Sequence, residues 1–165
     1  MQKPLVTCLL VAALSAATAQ VAVAQNADTF MLVPGIPGGS QDARHADWID
    51  VISLSQSFDA TAKGRTPCTV VVIKNFDKSG PLLWAAAVAG QVFPDIKVEI
   101  FKASDRPIKF YELTLFNARI ATISSTPAEF TESLTITGTS ATLTFFQQKP
   151  DGTAGDAVSS TVSCR

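Results

Sequence analysis

The sequence contains 165 residues, of which 47% are apolar, and its formal net charge at pH 7 is −1. A nearly neutral chain without a basic stripe lacks the electrostatic pattern of proteins that bind nucleic acids or anionic membrane surfaces. The composition therefore excludes a nucleic-acid-binding protein, and we expect no nucleic-acid partner.

The N-terminus has the pattern of a cleavable secretory signal. Met1-Gln2-Lys3 is a short basic start, Leu5–Val23 is apolar and rich in alanine, and Ala22-Val23-Ala24 is a small-x-small cleavage site. A transmembrane helix needs about 20 strongly apolar residues, and this segment is diluted by Ala, Thr and Ser. We therefore predict a signal peptide over residues 1–24, with a cut after Ala19 as the second choice, and no membrane insertion.

Processing leaves one domain. Removing the first 24 of 165 residues leaves 141, enough to bury a core as a single domain over residues 25–165. The predicted localisation is secreted or periplasmic. A segment similar to a lipoprotein box, Leu5-Val6-Thr7-Cys8, lies too early to have an apolar core before it, so lipidation is disfavoured.

Most of the processed chain has the residue pattern of β-strands. Val, Ile, Thr and aromatic residues dominate, and apolar and polar residues alternate with period two, which is typical of half-buried strands. The predicted strand segments are Thr29–Val33, Val70–Ile73, Ile96–Ile100, Tyr111–Leu115, Thr135–Thr137 and Thr142–Phe145. Turn chemistry separates them at Asp105–Pro107, Ser124–Pro127, Gly138–Ser140 and Lys149–Gly152. This rhythm predicts a mainly β fold, a sandwich or a barrel.

One short helix interrupts the strands. Ser79 is a candidate N-cap, Pro81 falls in the first turn, Leu82–Ala89 are good helix formers, and Gly90 can end the helix. The segment is almost wholly apolar, so it must be covered by the sheet or by a neighbour. Near the C-terminus, the small residues of Thr153–Ser160 predict a mobile loop before a final strand.

The only histidine, His45, lies in the glycine-containing stretch Gly38–Ser55 among several carboxylates. Ser40 and Asp42 can cap a tight turn by accepting hydrogen bonds from backbone N–H groups. We interpret His45 as the anchor of this loop, and the sequence leaves open whether Trp48 packs on the core or stands at an interface.

A catalytic reading of this stretch is disfavoured. A nucleophile needs a base and a group that orients the base, and no Gly-x-Ser-x-Gly elbow accompanies His45. A zinc site lacks ligands unless carboxylates complete it, and Pro37 breaks the glycines that could cradle a phosphate. Acidic pairs for glycoside hydrolysis could be chosen from Asp42, Asp47 and Asp50, but any surface loop offers such pairs. We therefore predict that the protein is not an enzyme and that it binds no cofactor and no metal.

Two cysteines remain after Cys8 leaves with the signal peptide. In an oxidising compartment Cys68 and Cys164 are expected to pair, the alternative being two unpaired buried thiols. A loop of this length, with 95 residues between the two cysteines, stabilises the fold by about 4.7 kcal/mol in the chain-entropy model.

The order Gly39-Ser40-x-Asp42-x-x-His45-x-x-x-Ile49-x-Val51 closely resembles the opening motif of Hcp, the haemolysin-coregulated tube protein of type VI secretion. The likeness continues in the family's order through further segments along residues 28 to 165. These segments are Phe76–Ser79, Phe93–Val98, Phe101–Ala103, Tyr111–Leu115 and Glu129–Ile136.

The resemblance implies a compact β-barrel of two sheets flanked by one helix. It also implies that six copies form a ring, that rings stack into a tube, and that the subunits are cargo and conduit rather than enzymes. The motif residues Gly39, Ser40, Asp42, His45, Ile49 and Val51 are expected to be structural.

This sequence departs from the family's usual pattern in two respects. Family members are normally assembled in the cytoplasm without a cleavable signal, whereas this chain has an export sequence and a candidate disulfide. The connection Asp59–Pro67 is shorter and less glycine-rich than the family's long loop, which is thought to help stacking. Ring formation is therefore a safer inference than tube formation.

The leading hypothesis is an exported, Hcp-like structural protein that forms homo-oligomeric rings, with secretion-machine components and small effector cargo as further candidate partners. The alternatives are a monomeric secreted or periplasmic binding module on the same barrel and, less favoured, an exported effector.

Overall fold

The computed structural model describes residues 27–58, 67–102 and 107–164. The predicted signal peptide and nearly all of the Asp59–Pro67 connection lie outside these ranges. The elements are β1 Ala27–Leu32, β2 Ile49–Ser57, β3 Cys68–Asn75, α1 Gly80–Val88, β4 Phe93–Lys102, β5 Ile108–Thr126, a 3₁₀ turn Pro127–Glu129, β6 Thr131–Gly138, β7 Ser140–Gln148 and β8 Ala154–Ser163. In the three described ranges, no helix has the length and apolar character needed to cross a bilayer.

The strands form one antiparallel sheet in the order β4-β1-β2-β3-β6-β5-β7-β8, and an additional pairing of β4 with β5 closes the first six into a barrel. Because the sheet closes on itself, each of these six strands has a hydrogen-bonded neighbour on both sides. The prediction of a mainly β barrel with one short flanking helix is confirmed.

The barrel interior is filled by the inward-facing residues of the alternating strands. Every second residue of a strand points to the same face, and many apolar side chains at these inward positions are at most 1% exposed. They include Met31, Ile49, Val70, Phe93, Ile96, Leu113, Leu115, Leu134 and Ile136.

Strand β5 is 19 residues long and pairs along one side with β4. On its other side it pairs first with β7, through Phe116↔Ser140, and then with β6, through Arg119↔Thr137. Thr139 separates β6 from β7, and its N–H donates to the Phe116 carbonyl at 3.0 Å. The predicted turn at Gly138–Ser140 is therefore a one-residue interruption between β6 and β7. Both strands pair with β5, so this segment is not the turn of a hairpin.

Two other loop predictions are wrong in position or in kind. Strand β5 continues through Thr126, so the turn predicted at Ser124–Pro127 begins at Pro127. The mobile loop predicted at Thr153–Ser160 is instead most of β8, because its backbone pairs with β7 from Ala154 to Ser163. The predicted turn Lys149–Gly152 is present, with Gly152 at a φ of 83°.

Helix α1 packs on the outside of the barrel through Leu83 and Ala86. Pro81 lies in its first turn, and Gly90, at a φ of 61°, ends it in the left-handed conformation that glycine adopts freely. Ser79 occupies the N-cap position but makes no side-chain cap. Its hydroxyl donates to the Asp77 carboxylate instead.

The structure contains the Cys68–Cys164 disulfide, with the two Cα atoms 5.2 Å apart. Cys68 is the first residue of β3, and Cys164 directly follows β8. The bridge therefore connects the barrel wall to the last strand.

Candidate functional site

The loop between β1 and β2 is held by its own backbone and by Asp42. The Gly38 N–H donates to the Asp47 carbonyl at 2.7 Å, and the Ser40 N–H donates to the Trp48 carbonyl at 2.9 Å. The Asp42 Oδ1 accepts backbone N–H bonds from Arg44 and His45 at 3.0 and 3.1 Å. Asp42 thus caps the turn, as Asp side chains do when they accept from N–H groups two or three residues on.

His45 is only 2% exposed and is enclosed on every side. Its Nδ1 lies 2.7 Å from the Asp42 Oδ1, and its Nε2 lies 3.0 Å from the Glu99 Oε2 on β4. The ring stacks on Phe30 with centroids 4.1 Å apart, and Phe101 and Trp48 pack edge-on against it. Trp48 is therefore half-buried and packs against His45, the residue that anchors the loop.

This geometry determines what the imidazole can do chemically. Each ring nitrogen faces a carboxylate oxygen, so both nitrogens are engaged by side chains that belong to the fold. Neither nitrogen is left to accept a proton from a nucleophile. The arrangement binds β4 to the loop and offers no general base.

The electrostatics of the cluster favour ionised carboxylates. A hydrogen bond from His45 holds the pKa of Asp42 below its ordinary value. Burial opposes ionisation of Glu99, but the His45 hydrogen bond and the Lys109 charge outweigh it, so the pKa of Glu99 is also lowered. Lys109 is partly desolvated, yet its contacts with Glu112 and Glu99, at 2.6 and 3.2 Å, raise its pKa.

The remaining residues of the sequence motif are structural in different ways. Ile49 and Val51 point into the core, and Ser40 is buried with its Oγ accepting the Asp42 N–H at 3.3 Å. The Gly39 N–H donates to the Asp77 Oδ2 at 2.8 Å. The structure therefore brings Gly39, Ser40, Asp42 and His45 into one network of contacts.

The three loop carboxylates are not assembled into one site. Asp42 faces His45, Asp47 pairs with Lys78, and Asp50 points outward from β2. Within the described part of the chain, no group of three His, Cys, Asp or Glu side chains is placed to hold a metal ion.

A second buried cluster, missed by the sequence reasoning, surrounds Lys74. This side chain is 0% exposed, and its Nζ lies 2.9 Å from the Asp77 Oδ1 and 2.7 Å from the Glu132 Oε2. The Trp84 Nε1 donates to the Glu132 Oε1 at 3.0 Å, which ties the helix to the same cluster. Through Asp77 and Gly39 the cluster also holds the loop between β1 and β2.

A sequence signal for this cluster does exist. Position 74 has the parity of Val70 and Val72, and position 132 has the parity of Leu134 and Ile136, so both charged residues fall on inward-facing positions. Opposite charges at inward positions of two strands indicate a buried pair. Lys74 and Glu132 are direct partners in the β3–β6 ladder.

The outer face of α1 is an exposed apolar surface. The helix carries no charged residue, and Leu82, Trp84 and Val88 are exposed, Val88 by 86%. Val92, four residues after the end of the helix, is also exposed. We call Leu82, Trp84, Val88 and Val92 the helix patch.

Comparison with known proteins relates this arrangement to one family. The sequence profile of a family described as "Type VI secretion system effector, Hcp" matches residues 30–145. A search of the curated proteins found no match to the sequence.

Solved structures show the same fold. The crystal structure of Hcp1 from Salmonella typhimurium superposes with a TM-score of 0.71 at 19% identity, covering 83% of this chain and 94% of that chain. The secreted protein Hcp3 from Pseudomonas aeruginosa superposes with a TM-score of 0.62 at 21% identity, covering 84% and 97%. A third structure, described as that of a type six secretion system protein, has a TM-score of 0.71 at 21% identity, covering 82% and 94%.

Proposed function

Because this chain belongs to the Hcp family of type VI secretion effectors, we propose that it is an exported structural subunit that assembles with copies of itself into rings. The family's sixfold ring is the expected form. Stacking of rings into tubes is the less supported step, since the Asp59–Pro67 connection is short.

The helix patch is the observation that carries this proposal. An uncharged helix with one face on the barrel must cover its other face to remove apolar area from water. Exposed apolar surface of this kind on a soluble domain marks an interaction site. A repeated contact between identical copies covers the helix patch on every subunit at once.

The geometry of His45 supports a structural role and argues against an effector with enzymatic activity. Both ring nitrogens are engaged by carboxylates that belong to the fold. We expect His45→Ala to lower the melting temperature, because Asp42 and Glu99 lose their shared partner and Phe30 loses its stacked ring. A variant that keeps its melting temperature but loses a measurable activity would contradict the structural role.

Export is the second part of the proposal. The signal pattern of residues 1–24 and the Cys68–Cys164 bridge both suit an oxidising compartment. Expression of the full chain in a bacterial host tests this part, with intact mass spectrometry of the periplasmic and culture fractions. We expect a mass that corresponds to cleavage after Ala24 and loss of two hydrogens at the bridge, whereas an uncleaved cytoplasmic product would contradict export.

Assembly is tested on the exported, oxidised protein by native mass spectrometry and negative-stain microscopy. We expect sixfold rings for the wild type and monomers for Val88→Lys, because a cation cannot be buried in an apolar contact without a partner. The substitution suits an isolated helix, since a cation in the last turn is favourable. Val88→Ala is the matched control and keeps the rings. A wild type that stays monomeric at high micromolar concentration would overturn the assembly proposal and favour a monomeric binding module.

A further inference from the structure

Strand β8 is held to the molecule mainly by its backbone. It pairs only with β7, and its outer edge has no partner strand within residues 27–58, 67–102 and 107–164. Its side chains are mostly exposed, Val158 by 71%, and only Val162 packs in part against the core. Because burial of apolar area is the main source of stability, this strand has little of its own.

Side chains add only modest attachment. Thr142 and Thr161 share a hydroxyl hydrogen bond of 2.8 Å, and Thr144 and Ser159 share one of 2.9 Å. Each such cross-strand pair on an exposed face stabilises the ladder only modestly. These contacts alone leave the end of β8 free to open at low cost.

The disulfide is located where it can prevent that opening. Cys164 follows the last residue of β8, and its N–H donates to the Thr139 carbonyl at the β6–β7 break. Its partner Cys68 is fully buried in β3 and is opposite Gly138 in β6. The bridge thus fixes the end of an exposed strand to a fully buried residue of the barrel wall.

We infer that the Cys68–Cys164 bridge is a redox-controlled lock on the edge strand β8. In the disulfide form β8 is fixed along β7 up to its last residue. In the dithiol form the C-terminal half of β8 detaches, while the six-stranded barrel remains folded.

The chemistry of closure is thiol–disulfide exchange with a disulfide-bearing oxidant such as oxidised glutathione or a disulfide oxidoreductase. The Cys164 thiolate, at the end of the detached strand, attacks one sulfur of the oxidant and forms a mixed disulfide, and one thiolate leaves. As β8 docks, the Cys68 thiolate attacks the Cys164 sulfur and expels the second thiolate of the oxidant. The two cysteines lose two protons and two electrons in total, and the oxidant gains them as two thiols.

This lock links compartment to assembly, a consequence that rests on the proposed function. An edge strand offers its unpaired backbone groups to a neighbouring chain only when the strand is ordered. Rings that use this edge therefore form after export and oxidation, and the reduced chain in the cytoplasm lacks a complete edge.

Hydrogen exchange on the exported protein tests the lock. The oxidised protein is compared with the same protein after reduction in denaturant and refolding in a reducing buffer, and with Cys164→Ser, which leaves the buried Cys68 in place. We expect the peptides of β8 to lose protection in the two bridge-free forms by at least ~10-fold more than the peptides of β3 and β6, because the strand end opens locally while the barrel opens only by global unfolding. Thr161→Ala is the matched control, since it weakens β8 by one hydroxyl pair and keeps the bridge; it should stay within ~3-fold of the oxidised wild type.

Equal protection of β8 in the oxidised and reduced proteins would overturn the lock. An equal loss of protection in β8, β3 and β6 would also overturn it, because the bridge would then stabilise the barrel as a whole. Native mass spectrometry of both redox forms examines the link to assembly: rings only in the oxidised form support it, and equal rings in both forms overturn it. Monomers in both the oxidised and the reduced protein would refute the proposed function. The hydrogen-exchange data on β8 would still show whether the bridge acts as a lock.

Discussion

Two buried side chains, His45 and Lys74, organise the end of the barrel where the β1–β2 loop and the start of α1 meet. Each contacts two carboxylates that come from different segments of the chain. A buried charge is tolerated only when such partners replace the water that it loses. The two residues therefore connect segments that apolar packing alone would not orient.

Loss of the Lys74 ammonium should be severely destabilising. In Lys74→Met the buried Glu132 carboxylate and the half-buried Asp77 carboxylate lose their cation, and we expect the free energy of unfolding to fall by about 3–5 kcal/mol. Lys78→Met is the matched control, because Lys78 pairs with Asp47 at the surface, where ion pairs contribute at most about 1 kcal/mol. Urea unfolding of the oxidised proteins measures both values. Similar losses in the two variants would show that the buried cluster contributes no more to the free energy of unfolding than a surface ion pair does.

Acid should weaken the His45 cluster. The folded pKa values of Asp42 and Glu99 lie below their ordinary values of 3.8 and 4.5. A carboxylate with a lowered folded pKa contributes stability that is full above its unfolded pKa and disappears as the pH falls through the folded pKa.

The matched variant for this effect is Glu99→Gln, which keeps the shape of Glu99 and removes its titration. We expect the wild type to be more stable than Glu99→Gln near pH 7, and the difference to shrink as the pH falls below about 4.5, the ordinary value for Glu. Urea unfolding between about pH 7 and pH 3 measures this difference. A difference that does not change with pH would mean that the charge of Glu99 contributes nothing to folding.

Gly38 shows how an element boundary is set by close backbone contact. A Cβ atom added there would meet the Trp48 carbonyl carbon at 2.5 Å and the Ile49 Cα at 2.6 Å, which are backbone atoms at the start of β2. We expect Gly38→Ala to destabilise the fold by about 1–3 kcal/mol or more, since the loop must move away from the strand. Gly39→Ala is the milder comparison, because there the nearest atom is the Asp77 Cβ at 3.1 Å. Thermal unfolding measured by circular dichroism ranks the two, and equal melting temperatures would contradict the steric argument.

Much of the element structure could be predicted from the sequence. A β-branched run located Val70–Ile73, and period-two alternation located Ile96–Ile100 and Tyr111–Leu115, because these two strands bury one face in the barrel. The helix was predicted to within two residues of its observed ends, since Pro81 and Gly90 are strong local signals.

The errors occur where long-range pairing overrides local composition. Thr153–Ser160 has the small, polar residues of a loop, yet β7 supplies a backbone partner along most of its length. The Gly138–Ser140 signal predicts a turn, but β5 extends past the break and pairs with both flanking strands. Lys74 and Glu132 were missed because a charged residue reads as solvent-exposed until its partner strand is known.

The whole molecule combines a closed six-stranded barrel with an exposed sheet edge at β8 and the exposed helix patch. Six strands satisfy one another around the barrel, while the β7–β8 hairpin extends the sheet beyond it and α1 presents the helix patch. The closed part supplies stability, and the extended part and the helix patch supply the exposed surfaces that the proposed assembly requires. Two different open surfaces on one subunit suit the head-to-tail contacts from which rings are built.

Assembly of this kind makes thermal stability depend on protein concentration. A partner that binds only the folded state stabilises it by mass action, and a 100-fold rise in concentration adds up to about 2.7 kcal/mol per subunit. For a domain of this size we expect the melting temperature of the oxidised wild type to rise by about 5–10 °C between about 2 and about 200 µM. Val88→Lys should melt at one temperature across this range, and Val88→Ala should follow the wild type. A wild-type melting temperature that does not change with concentration would mean that the folded unit is a single chain, and that the helix patch serves a partner other than a second copy.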